Sequence, residues 1–164
     1  MNGQDELTGL YDLSAAREKI TELLDGGNVE NGLLFSIDLD DFREVNDTYG
    51  YPAGDELLKN LGELLLDRSC AADVAARIGG DEFLLFLGNV PDGRAAYDQA
   101  LQLYGACMGA GGERPVSMSM GIACYPGDGA AYEELAARAD EALYVSKHSG
   151  KQCFLFYEDI SGMW

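Results

Sequence analysis

Acidic side chains crowd two short segments of this chain. Asp38, Asp40 and Asp41 close one apolar run, and Asp81 and Glu82 directly follow Gly79-Gly80. Carboxylates held side by side repel one another unless one takes up a proton or a cation bridges them. Hard divalent ions such as Mg²⁺ (or Mn²⁺) prefer oxygen ligands and bind through a few carboxylates together with substrate phosphates. Acids at strand ends also simply keep loops solvated. Glycines immediately beside them, however, let a ligand come close to the backbone. Asp38–Arg43 begins with the acids of a calcium-binding loop, but Arg43 stands where that loop needs glycine. An apolar strand also precedes it in place of a helix, so the calcium reading fails.

A metal site of this kind needs a fold that joins the two segments. Leu33 to Ile37 is a short apolar run without alternation, which predicts a central strand covered on both faces. Val74–Ile78 and Phe83–Leu87 are two further runs. The Gly79-Gly80-Asp81-Glu82 between them reads as a hairpin whose glycines supply positive φ. A first helix is predicted over Leu13–Leu24, with Leu13, Ala16, Ile20, Leu23 and Leu24 on one face and Asp25-Gly26-Gly27-Asn28 as its stop. Asp40 to Gly54 is polar and turn-rich, and Leu57, Leu58, Leu61, Leu64 and Leu65 then mark a second amphipathic helix. Pro91-Asp92-Gly93 is a turn, and Ala95 to Met108 is helical. Val116, Met118, Met120, Ile122 and Cys124 alternate with smaller residues, the pattern of a half-exposed strand. A last helix carries Leu135, Ala139, Ala142 and Leu143 and ends at Gly150, before a final strand from Cys153 to Tyr157. The fold class is therefore α+β: a ferredoxin-like β-α-β-β-α-β core with an N-terminal helix and an appended C-terminal helix and strand. In that topology Asp38 and the Asp81/Glu82 pair meet at one end of the sheet.

The 164 residues, 47% of them hydrophobic and 24% charged, describe one globular domain, residues 1–164, with its core at about 5–157. Lys plus Arg is 11 and Asp plus Glu is 29, so the net charge is −18. That sign repels phosphate backbones and anionic lipid, which argues against nucleic-acid and membrane-surface partners. It leaves room for a single nucleotide, whose charge a metal ion and a few local cations neutralise. Cys70, Cys107, Cys124 and Cys153 stand far apart and include no CxxC pair, which reads as reduced packing residues in a cytoplasmic protein. No apolar stretch approaches a membrane span, and no signal peptide opens the chain. A parent protein anchored in a membrane is compatible with this segment.

Arg77-Ile78-Gly79-Gly80-Asp81-Glu82-Phe83 contains an intact GGDEF sequence, and the chain resembles the GGDEF (diguanylate cyclase) domain family. Asp5-Glu6-Leu7-Thr8-Gly9-Leu10 resembles that family's DxLTGL motif. Asp38-Leu39-Asp40-Asp41-Phe42-Arg43 looks like its metal-and-phosphate segment, followed by Asn46-Asp47, Gly50 and Gly54-Asp55. Ser119-Met120-Gly121-Ile122, Ala139-Asp140-Glu141-Ala142-Leu143-Tyr144 and Lys147 with Gly150-Lys151 complete the set in family order, so the likeness spans about Asp5 to Tyr157.

The resemblance implies a nucleotide cyclase-like fold that joins two GTP molecules into cyclic di-GMP across a transient homodimer. It implies metal binding by Asp38, the backbone carbonyl of Leu39, Asp81 and Glu82, with Glu82 also assisting deprotonation of the 3′-hydroxyl. Asn46 and Asp55 would hydrogen-bond guanine. Phe42, Arg43, neighbouring amides, Lys147 and Lys151 would hold the triphosphate. The chemistry is coherent: phosphoryl displacement needs charge neutralisation and orientation above all. A carboxylate offers two acceptors to guanine N1–H and N2–H, and a buried Asp55 left unpaired would cost about 1–3 kcal/mol. Taken alone, Asn46 and Asp55 serve equally well as loop and helix caps, and Lys147 with Lys151 as a favourable charge pair at a helix C-terminus.

Several positions depart from the family pattern. Asp12-Leu13-Ser14 replaces the usual N-R-R, Tyr51 a histidine, Arg43 a lysine and Gln152 an asparagine. The family's product-inhibition sequence RxxD is here Cys70-Ala71-Ala72-Asp73, so of that site only Asp73 survives. A thiol cannot grip phosphate as Arg does, and Arg68 is expected on an alternating strand, facing elsewhere. The expectation is weak or absent feedback through this site. His148 reads as a surface residue, Tyr125, Tyr144 and Tyr157 as core or edge aromatics, and Trp164 as exposed or a partner anchor. A second functional reading is an inactive GGDEF domain that receives GTP or cyclic di-GMP, and a third is an acidic interaction module without nucleotide.

Overall fold

In the computed structural model, which describes residues 3–91 and 93–161, the apolar run Gly32–Leu39 forms β1, the middle strand of a five-stranded sheet. Around it lie α1 (Leu13–Asp25), α2 (Phe42–Tyr49), α3 (Tyr51–Asp67), β2 (Val74–Arg77), β3 (Glu82–Gly88) and α4 (Arg94–Met108). β4 (Met118–Tyr125), α5 (Tyr132–His148), β5 (Phe154–Phe156) and the short α6 (Tyr157–Ile160) complete the chain. The strand order is β2-β3-β1-β4-β5; β1 runs antiparallel to β3 and β4, and β5 joins β4 in parallel. The expected α+β core is present.

Strand parity divides the core into two layers. Leu33, Phe35, Ile37 and Leu39 face Leu57, Leu58, Leu61 and Leu65 of α3 and Ala96, Ala100, Leu103 and Cys107 of α4. Leu34 on the opposite face packs with Ala16, Ile20 and Leu24 of α1 and Leu135 and Ala139 of α5. An uninterrupted apolar strand is what two covered faces require. The even face continues toward the strand's end as Ser36, whose hydroxyl donates to Asp140 Oδ1 at 2.6 Å, and then Asp38.

Some expectations are corrected. β4 is buried along nearly its whole length, not half-exposed. Its alternation is large against small: Met118, Met120, Ile122 and Cys124 enter the α3/α4 layer, while Gly121 sits under α5. A Cβ at Gly121 would collide with the backbone at Ala139 and Leu143, so the small residues let helix and strand approach closely. The stretch 40–54 is mostly helical, as α2 and the start of α3, hinged at Gly50 with φ +91°. Leu13 is 47% exposed and Tyr144 56% exposed, so neither belongs to the core. Tyr144 instead stacks on His148, which is exposed as expected. None of the four cysteines is in a disulfide, and Cys107 and Cys124 are buried, but Cys70 is exposed rather than a packing residue. Trp164 and Asp92 lie outside the described residues.

Candidate functional site

The antiparallel pairing of β1 with β3 places Asp38 directly opposite Glu82. One residue further, the Leu39 N–H donates to the Asp81 carbonyl at 3.1 Å, which fixes the hairpin turn against the end of β1. Burial, followed by the nearby Asp81 carboxylate, raises the Asp38 pKa to about 6 against the opposing pull of Lys147, with Glu82 adding to the rise. Asp38 Oδ1 is buried without a hydrogen-bond partner, and such a group is costly unless something fills it. Its other oxygen, Oδ2, lies 3.4 Å from Lys147 Nζ.

The three acids do not form a preformed cage. Among the described residues no group of three or more His, Cys, Asp or Glu side chains is close enough to hold a metal ion. Asp38 thus presents one orphaned carboxylate oxygen, with Asp81 and Glu82 as its acidic electrostatic neighbours. Asp81 and Glu82 both push the Asp38 carboxyl up, as like charges do until a cation neutralises them. An orphaned oxygen in an acidic corner still fits Mg²⁺, which takes one or two carboxylates and completes its shell with water and phosphate.

The hairpin turn is held by a clamp that no sequence motif signalled. Arg77 donates to the Gly80 carbonyl at 2.8 Å and to both Asp5 oxygens at 3.2 Å. Asp5 Oδ2 also accepts from the Thr8 N–H and hydroxyl. Burial raises the Asp5 carboxyl, but these bonds outweigh it and hold it below its ordinary value. The DELTGL motif is thus a turn that anchors the glycine loop. Neither Gly79 nor Gly80 has positive φ, contrary to expectation: the clamp, not left-handed backbone, shapes this turn. A Cβ at Gly80 would meet nothing within 4 Å, so open space adjoins the acids. Arg77→Ala, which leaves Asp5 short of its counter-charge, is expected to destabilise the fold by about 1–3 kcal/mol in urea denaturation. Arg77→Lys should recover only part of that, because it cannot fork between two acceptors.

Between α2 and α3, Asn46 packs over Gly54, where a Cβ would collide with its side-chain oxygen and lie 3.2 Å from Phe42. This contact brings Phe42, Asn46 and the N-terminal turns of α3 together. Asp55 is exposed, not buried, so the cost of an unpaired buried carboxylate does not arise there. Arg43 is exposed as well, in the first turn of α2. Asp41 precedes α2 with φ +52° and makes no side-chain cap, leaving the helix's first N–H groups uncovered by its carboxylate. A cleft of about 300 Å³ lined in part by Asp40, Asp41, Phe42, Thr48, Ser117 and Gln152 lies beside them.

The two lysines are already paired. Lys147 Nζ is 2.8 Å from Asp40 Oδ1, and Lys151 Nζ is 2.8 Å from Asp41 Oδ1. Asp40, read in the sequence as one acid among several, is the most enclosed group here. Burial would raise its carboxyl, yet hydrogen bonds from Lys147, Ser117, Ser119 and the Gln152 N–H hold it below the ordinary value. Asp73, away from this corner, accepts from the Cys70 N–H at 2.7 Å and the Gly88 N–H at 2.8 Å. Arg68 is the C-cap of α3, not a strand residue, and lines the same cavity of about 450 Å³ as Cys70 and Asp73.

A ferredoxin-like sheet with acids at the β1 end and the adjoining hairpin turn defines a nucleotide cyclase-like domain. The family model "Diguanylate cyclase, GGDEF domain" matches residues 2–153, and the chain belongs to the GGDEF family. It is 35% identical over 156 residues to the diguanylate cyclase DgcP of Pseudomonas aeruginosa, covering 90% of this chain and 23% of that protein. Among solved structures, a sensory box/GGDEF family protein from Caulobacter crescentus superposes with a TM-score of 0.80 at 35% identity, over 90% of this chain and 99% of the other. A microbial GGDEF domain described in its interaction with cyclic di-GMP gives a TM-score of 0.76 at 30% identity, over 93% and 95% of the two chains. The chain thus spans only about a quarter of DgcP. Among the described residues no helix is long and apolar enough to cross a membrane.

Proposed function

We propose that this chain is a Mg²⁺-dependent diguanylate cyclase domain, a cytoplasmic output unit that joins two GTP molecules into cyclic di-GMP. The observation that carries the reading is the orphaned, buried Oδ1 of Asp38, the residue paired with Glu82 across β1 and β3. Asp38, the Leu39 carbonyl, Asp81 and Glu82 would hold the metal, which when bound supplies charge neutralisation at the phosphates. Asn46 and Asp55 bind the guanine edge, and Phe42 packs beneath that segment. Arg43, Lys147, Lys151 and the first amides of α2 hold the triphosphate, as helix N-termini commonly do. Glu82 takes the proton of the 3′-hydroxyl as its oxygen bonds to the α-phosphorus of the GTP held by the partner protomer. The α–β phosphoanhydride bond breaks and pyrophosphate leaves with its electron pair. Two such steps close the ring, so a transient homodimer is required: one protomer holds only one nucleotide.

Incubation with GTP and Mg²⁺ at high protein concentration, followed by chromatography, tests this. Cyclic di-GMP and pyrophosphate in a 1:2 ratio are expected. A second reading is a receptor that binds GTP or cyclic di-GMP without turnover. Nucleotide that raises the melting temperature while no product forms would select the receptor. No thermal shift with either nucleotide would leave an interaction module.

Feedback through the degenerate inhibitory sequence is expected to be weak, because both Asp73 oxygens already serve backbone N–H groups. Asp73→Ala should lower stability by about 1–3 kcal/mol through those orphaned donors. Calorimetric titration with cyclic di-GMP should be unchanged by it, and tight binding lost in this variant would reverse that view.

A further inference from the structure

The Asp40 side chain is 1% exposed and its two oxygens take four hydrogen bonds. Oδ1 accepts from Lys147 Nζ at 2.8 Å and Ser119 Oγ at 2.7 Å. Oδ2 accepts from Ser117 Oγ at 2.6 Å and the Gln152 N–H at 3.0 Å. One carboxylate therefore joins the end of β1, the start of β4, the last turn of α5 and the turn beyond it. That turn is unusual: Gly150, Lys151 and Gln152 have φ of +106°, +63° and +52°. Two successive non-glycine residues in this region need outside support. It comes from the Lys151 N–H to the Ser146 carbonyl at 3.1 Å and from the Gln152 N–H to Asp40. Asp40 thereby fixes the Lys147 ammonium directly and the Lys151 backbone through its neighbour.

We propose that Asp40 is a positioning residue that presets Lys147 and Lys151 for the polyphosphate tail of the nucleotide. The inference rests on the GTP-binding reading above. Lysine is a flexible point charge, and holding it in place before the ligand arrives lowers the ordering cost of binding. Two of the four bonds end on the two lysines' segments, at Lys147 Nζ and the Gln152 N–H, so satisfying this buried carboxylate also places the lysines.

The test compares two ligands by calorimetry: α,β-methylene-GTP, whose α–β linkage cannot be cleaved, and GMP, which lacks the β- and γ-phosphates. Asp40→Asn keeps the shape but loses the charge that holds Lys147. It is expected to weaken the triphosphate analogue about tenfold or more, with GMP changed less than about twofold. Ser119→Ala removes one bond to Asp40 and no charge, and should shift the same ratio less far; it decides the matter should Asp40→Asn not fold. Equal weakening of both ligands, or an unchanged analogue, would overturn the positioning role. Wild-type protein that binds neither ligand would overturn the GTP reading itself, and this inference with it.

Discussion

Glu82→Gln should lower cyclic di-GMP formation by about 10²-fold or more, the usual range for losing a positioned general base. The same change should leave folding stability within about 0.5 kcal/mol, since Glu82 is exposed at the first position of β3. The two readouts separate because Glu82 contributes little to packing while standing opposite Asp38. The neutral amide also relieves some of the repulsion on Asp38, so any stability change should be upward. Initial rates with GTP and Mg²⁺, set beside urea unfolding of the same samples, check both halves. Equal turnover in the two proteins would remove Glu82 from proton transfer and leave it, at most, an electrostatic neighbour of the metal.

The acids of this corner were legible because the sheet has period two. Once Leu33–Ile37 is a central strand, Asp38 must leave it on the face of Ser36, and a following hairpin brings Asp81 and Glu82 alongside. The α2 segment was not legible as a helix. Phe42, Val45 and Tyr49 do recur at helical spacing, but the segment is only eight residues long, polar on average and without a buried residue, so it does not stand out from a polar loop. What holds it is the packing of Phe42 and Val45 against the α3/α4 core layer together with Asn46 over Gly54. The role of Asp40 was hidden for another reason. Its partners Ser117, Ser119, Lys147 and Gln152 lie 77 to 112 residues away, and no local spacing encodes such a junction. The alternation of Ser117 and Ser119 with methionines offered a faint signal, two hydroxyls on one face of a strand. Asp55 was expected to be buried but lies on the solvent side of the first turns of α3, beside exposed Glu56, while Ala53 and Gly54 take the buried side.

Asp38→Asn should make the metal-free protein more stable at neutral pH while abolishing product formation. The Asp38 pKa is raised from 3.8 to about 6 by burial and by Asp81, so the folded chain holds this proton more tightly than the unfolded one. The group's contribution is therefore fully present below pH 3.8, declines as the pH rises and is lost once it passes about 6. Above that, the ionised carboxylate is carried in a partly buried, acid-rich corner with one oxygen unpartnered. Asparagine carries no such charge. The melting temperatures of the two proteins should lie close together near pH 4, diverge between pH 4 and 7, and keep a constant gap beyond. Mg²⁺ should narrow the gap by raising the wild type alone, because the variant lacks the anionic ligand. A variant less stable than wild type at pH 7.5 would mean that the Lys147 attraction at 3.4 Å outweighs burial and repulsion together. Asp38 would then be a structural ion-pair partner, and the strain that makes this corner a place for a cation would not exist.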